Sequence, residues 1–61
     1  YLYHLMIMSE ALYRIEELVT SGWTVVEPTD VQLTRAQAAQ RLENLIAEGY
    51  NPNLLRAVRD D

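Results

Sequence analysis

Ala11-Leu12-Tyr13-Arg14-Ile15-Glu16-Glu17-Leu18-Val19-Thr20-Ser21-Gly22-Trp23-Thr24-Val25-Val26 (residues 11–26) is the stretch on which the fold turns. Ala11, Leu12, Ile15, Leu18 and Val19 recur at helical spacing, with Glu10, Arg14, Glu16 and Glu17 in the other positions. That spacing predicts an amphipathic helix. Ser9 stands where it can cap the first turn, and Glu10 suits the positive end of the helix dipole. Met8 and Tyr13 occupy the two positions of a hydrophobic staple. Gly22 then predicts a left-handed cap at the helix end, with Trp23 folding back on Leu18. Trp23-Thr24-Val25-Val26 is aromatic and β-branched, reads as a strand, and is stopped at Pro28.

Toward the N-terminus, Tyr1 to Met8 is apolar or aromatic except for His4. It reads as a buried strand pairing in parallel with Trp23–Glu27, the intervening helix being long enough for the crossover. The competing reading is one continuous helix from Leu2 to Ser21, with Leu5, Met8, Leu12, Ile15 and Val19 in heptad spacing. Its first two turns would be apolar all round and would need a partner to cover them.

Toward the C-terminus, Thr34-Arg35-Ala36-Gln37 is a capping box. It predicts a second helix with Ala38, Leu42, Leu45 and Ile46 on the buried side and Arg35, Gln37, Arg41, Asn44 and Glu48 in solvent. Gly49 caps it, and Tyr50 repeats the Gly22-Trp23 device. Asn51 as cap and Pro52 at the first position start a short third helix carrying Leu54, Leu55 and Val58. The expected fold is thus α+β in one domain over residues 1–61: a small βαβ unit followed by two helices. The alternative is all-α, a long N-terminal helix packed on a helical hairpin. An internal echo, Arg14-Ile15-Glu16 through Gly22-Trp23 against Arg41-Leu42-Glu43 through Gly49-Tyr50, reads as shared helix-ending grammar rather than a repeat array.

Nine Asp and Glu oppose five cations, giving a formal charge of −4 that disfavours nucleic acid and anionic lipid. Every cation is Arg. Without Lys there is no Schiff-base or phosphate-loop lysine, and without Cys there is neither disulfide nor thiolate metal site. Sixty-one residues bury a marginal core, so self-association or docking on a larger partner is expected. The opening at Tyr1 rather than Met leaves room for residues upstream. No run of ~20 apolar residues spans a bilayer, no signal peptide is recognisable, and the expected location is the cytoplasm.

Chemistry-bearing residues are sparse. His4 has no orienting partner nearby, and Ser9 lacks the glycine-flanked elbow of hydrolases. Glu16 and Glu17, adjacent on a helix, would diverge. Glu27, Thr29 and Asp30 offer too few oxygens and no glycine for a calcium loop. The expectation is therefore no catalytic residue, no cofactor and no metal. The function expected is a non-catalytic protein–protein interaction module, a homodimer or an accessory subunit of a larger assembly. Its contacts would be Tyr1, Tyr3, Leu5, Ile7 and Trp23, because aromatic anchors carry most interface energy. The alternative is a helix-turn-helix-like nucleic-acid-binding protein over residues 40–59, turning at Gly49 and presenting Asn53, Arg56 and Arg59. Glu48 and Leu45 fit that motif poorly, and so does the acidic charge.

Overall fold

The computed structural model describes residues 10–61; the expectations placed on Tyr1–Met8 lie outside the described residues. The elements run β1 (Tyr13–Val19), β2 (Gly22–Val25), helix α1 (Arg35–Ala47), a 3₁₀ turn (Pro52–Leu54) and β3 (Leu55–Arg59). The strands form an antiparallel sheet in the order β2-β1-β3, with the helix against one side. The class is mixed α+β.

The helix expected over residues 11–21 is a strand instead. Its residues satisfy two periods at once: Tyr13 and Ile15 alternate with Arg14 and Glu16 as well as recurring at helical spacing. Partners decide between them. β1 is the central strand, pairing Glu16 with Val25 and Leu18 with Trp23 on one side, and Ile15 with Ala57 and Glu16 with Arg56 on the other. As a helix it would leave β2 and β3 no ladder, whereas the β-branched Ile15 and Val19 keep more side-chain freedom in a strand.

Thr20 and Ser21 alone join β1 to β2. The pairing is a tight antiparallel hairpin, and because Tyr13–Val19 is a strand, the helix that was to cross over to Trp23–Glu27 in the expected βαβ unit is not formed. Neither turn residue has positive φ, which rules out the mirror-image turns whose twist suits a hairpin; Gly22 supplies it at +117°. The positive φ was expected at Gly22, but as a helix cap.

Helix α1 follows the sequence closely. The Thr34 hydroxyl accepts the Gln37 N–H at 3.2 Å, and the Gln37 side chain accepts the Thr34 N–H at 2.9 Å. At the far end Tyr50 N–H donates to Leu45 and Gly49 N–H to Ile46, each at 3.0 Å, with Gly49 at φ +108°. This is a Schellman motif. Ala38 and Leu45 are buried against Ile15, with Tyr13, Val26, Leu33, Leu42 and Leu55 packed around them. Ile46, expected inside, is 44% exposed, because the stripe that reaches the sheet runs through Ala38, Leu42 and Leu45.

The third helix is also corrected. Asn51 caps as expected, its Oδ1 accepting Asn53 N–H at 2.9 Å, and Pro52 opens the turn. One 3₁₀ turn later the chain extends as β3, because the second edge of β1 takes Leu55–Arg59 into its ladder. The two-helix ending, the helical hairpin and the all-α alternative are therefore not formed.

A Cβ at Gly22 or Gly49 would meet nothing within 4 Å, so substitution acts only through backbone conformation. Gly22→Ala and Gly49→Ala are each expected to cost about 1 kcal/mol in urea denaturation. Leu45→Ala, at a site 1% exposed, should cost about 3 kcal/mol by the same measurement.

Candidate functional site

Strand alternation divides the sheet into two faces. Ile15 lies under the helix, so Arg14, Glu16 and Leu18 belong to the other face. Directly opposed residues share a face, which adds Trp23 and Val25 from β2 and Arg56 and Val58 from β3. No helix or strand among the described residues covers this face.

Glu16 is its centre. It is a carboxylate on an uncovered face, yet only 7% exposed, because arginine side chains close over it. Arg14 Nε donates to Oε2 at 2.9 Å, and Arg56 Nε donates to Oε1 at 2.8 Å. The Arg56 guanidinium carbon also lies 4.1 Å from the centroid of the Trp23 ring, a cation–π stack. Trp23 remains 37% exposed and Leu18, directly opposite, 41%. The result is a patch with one indole, several aliphatic side chains and two guanidinium groups anchored on one acid.

Arg14 extends the network, its Nη1 donating to the Arg59 carbonyl at 2.9 Å and to Asp60 Oδ1 at 3.2 Å. Asp60 Oδ2 accepts the Gln32 N–H at 2.9 Å and its side-chain amide at 3.0 Å; that amide also donates to the Asp60 carbonyl. These bonds hold Gln32 at φ +53°, a conformation costly for a non-glycine residue. On the other side of the molecule, Asp30 is buried and accepts Arg41 Nε at 2.8 Å. Arg41, expected in solvent, thereby ties the helix to the loop after β2, while the buried Asp30 Oδ2 has no hydrogen-bond partner among the described residues.

A shallow groove of about 310 Å³ lies between helix and sheet, lined by Tyr13, Arg35, Ala38, Ala39, Leu42 and Ala57. Among the described residues, no three His, Cys, Asp or Glu side chains are grouped to hold a metal ion.

Of the residues expected at an interface, Trp23 is on the open face, while Tyr1, Tyr3, Leu5 and Ile7 lie outside the described residues. Asn53 is in the 3₁₀ turn, and Arg56 and Arg59 leave β3. They do not share a recognition helix: Arg56 stacks on Trp23, and Arg59 pairs with Asp61 at 2.9 Å. Arg14, Glu16, Leu18, Val25 and Val58 were not expected as a group. Their signal was the two-residue alternation of Arg14 and Glu16 around Ile15, hidden by the helical period. Comparison with family models, with curated proteins and with solved structures returned no match to this chain.

The Glu16 carboxyl is held below its usual range, first by the hydrogen bond from Arg14 and then by that from Arg56. A depressed carboxylate contributes stability above its unfolded pKa, about 4.3, and loses it as pH falls through the folded value. Wild-type stability should therefore fall on acidification from about pH 5, and Glu16→Gln should show a shallower fall and lower stability at pH 7. Asp60 is lowered too, chiefly by the Gln32 N–H, so some slope remains in the variant. Urea midpoints between about pH 2 and pH 7 would measure both; identical slopes would show that Glu16 is not so held.

Proposed function

We propose that this chain is a non-catalytic protein-interaction module, acting as a self-associating unit or an accessory subunit of a larger assembly. The open face of the sheet is its contact surface. The observation that carries this reading is Trp23: a half-exposed indole fixed by Arg56, which Glu16 fixes in turn. Trp and Arg are the residue types that most often dominate interface energy, and a pre-ordered pair loses little freedom on binding. Leu18, Val25 and Val58 supply the apolar surround. Arg14 and Arg56 are balanced by Glu16 and Asp60, so the patch carries little net charge on a chain of charge −4, which suits a partner surface that is largely apolar.

The nucleic-acid alternative has less to stand on: residues 40–59 contain no second helix to enter a groove, and Arg56 and Arg59 are already paired with acids. No helix among the described residues is long and apolar enough to cross a membrane. A cytoplasmic setting accords with the absence of Cys.

Trp23→Ala should leave the circular dichroism spectrum unchanged while weakening assembly by about 30-fold, the equivalent of ~2 kcal/mol for losing an aromatic anchor. Solution mass by light scattering, alone and with candidate partner proteins, reads the effect. A folded Trp23→Ala that assembles as wild type does would sink the proposal. So would tight binding of wild type to random duplex at physiological salt.

A further inference from the structure

Among the described residues, nothing pairs with the backbone on the outer edge of β2. Val26 N–H donates to the Ile15 carbonyl at 3.2 Å, in register with Thr24 opposite Glu17 and Gly22 opposite Val19. Those three residues therefore turn their backbone groups toward β1. By the alternation of an antiparallel ladder, Trp23 and Val25 turn theirs outward. No strand lies beyond β2 among the described residues, so both N–H groups and both carbonyls face an empty edge there.

The two edges of the sheet differ in charge. β3 carries Arg56 and Arg59, whose side chains are 42% and 63% exposed, and charged side chains are a common guard against edge pairing. β2 is Gly-Trp-Thr-Val, with no charge and no proline. In a chain of charge −4, two copies repel at most surfaces, and of the two sheet edges among the described residues β2 is the one without a charged side chain.

We propose that β2 is a self-pairing edge: two copies join β2 to β2 antiparallel about a two-fold axis through Thr24, giving a continuous six-stranded sheet. This rests on the interaction-module reading and names its partner as a second copy. The register follows from the backbone. Placing Thr24 on the axis sets Trp23 of one copy opposite Val25 of the other, twice, and these are the residues whose N–H and C=O point outward. All four groups of each copy are then satisfied by hydrogen bonds of the closely bonded pair type. The two Thr24 residues meet as a non-bonded pair, where side chains approach most closely and Thr–Thr contacts are favourable. Trp23 and Val25 of the two copies form aromatic–β-branched pairs on the open face, so the edge and the face become one surface. With four residues per strand, the association is weak and concentration-dependent.

Sedimentation of the full chain from low to high micromolar concentration tests this, alongside Thr24→Lys and Thr24→Val. Wild type and Thr24→Val should shift from monomer to dimer. Thr24→Lys, which sets two ammonium groups face to face on the axis, should dimerise at least tenfold more weakly with unchanged circular dichroism. Amide exchange by NMR provides a readout that needs no variant: Trp23 and Val25 amides should gain protection with concentration, while the Thr24 amide, already bonded to β1, should not. Concentration-independent exchange at Trp23 and Val25, or a Thr24→Lys protein that dimerises like wild type, overturns the edge pairing. If the dimer then still depends on Trp23, the interaction-module reading stands without it. If assembly is indifferent to Trp23 as well, both readings fall.

Discussion

Everything in this molecule hangs from the two-sided pairing of β1. A central strand satisfies its backbone on both edges, and here each edge recruits a distant part of the chain: β2 through a tight turn, β3 from 40 residues away at Glu16–Arg56. The loop before the helix is stitched to the same strand. Tyr13 exchanges hydrogen bonds with Leu33 at 2.7 and 2.8 Å, and Ile15 N–H donates to the Asp30 carbonyl at 2.9 Å. Ile15 consequently sits at the junction of sheet, loop and helix, and is fully buried.

Among the described residues the buried apolar core around that junction is small, with Ile15, Ala38 and Leu45 its members. Polar ties supplement it. Arg41 bridges the helix to Asp30, Arg14 bridges β1 to Asp60, and Asp60 in turn clamps Gln32. Exposed ion pairs contribute little singly, but the Glu16 and Asp30 carboxylates are buried, so removing Arg41, or both Arg14 and Arg56, would strand an acid in a poorly solvated place. A charge that is costly to leave alone fixes its neighbours in position. Glu16 thereby holds both arginines of the open face, and through Arg56 it orients Trp23.

This gives the two faces of the sheet different characters. One is covered by a helix whose small residues, Ala38 and Ala39, leave a shallow groove beside Tyr13. The other displays a pre-ordered mixture of indole, aliphatic and guanidinium groups that costs little further entropy to use. Rigid side chains on strands suit recognition better than flexible ones on loops, which is why the open face rather than the loop carries the functional reading.

Residues 34–53 were legible from sequence because their signals are local. The Thr34–Gln37 box, the Gly49 cap and the Asn51-Pro52 restart each act within a few residues, and each forms as its chemistry dictates. Positive φ at Gly22 was legible too, since a residue without Cβ takes it at least cost. Trp23 could be singled out by its type alone, and it lies on the open face of the sheet against Arg56. The state of Tyr13–Val19 and Leu55–Arg59 was not legible, because both segments fit two periods and neither has a ladder until the other arrives. Glu16 shows the same limit at the level of a single side chain. In sequence it is one acid among nine. Only the antiparallel register of β1 with β3 brings Arg56 across to it, and a contact spanning that much chain leaves no mark on local spacing.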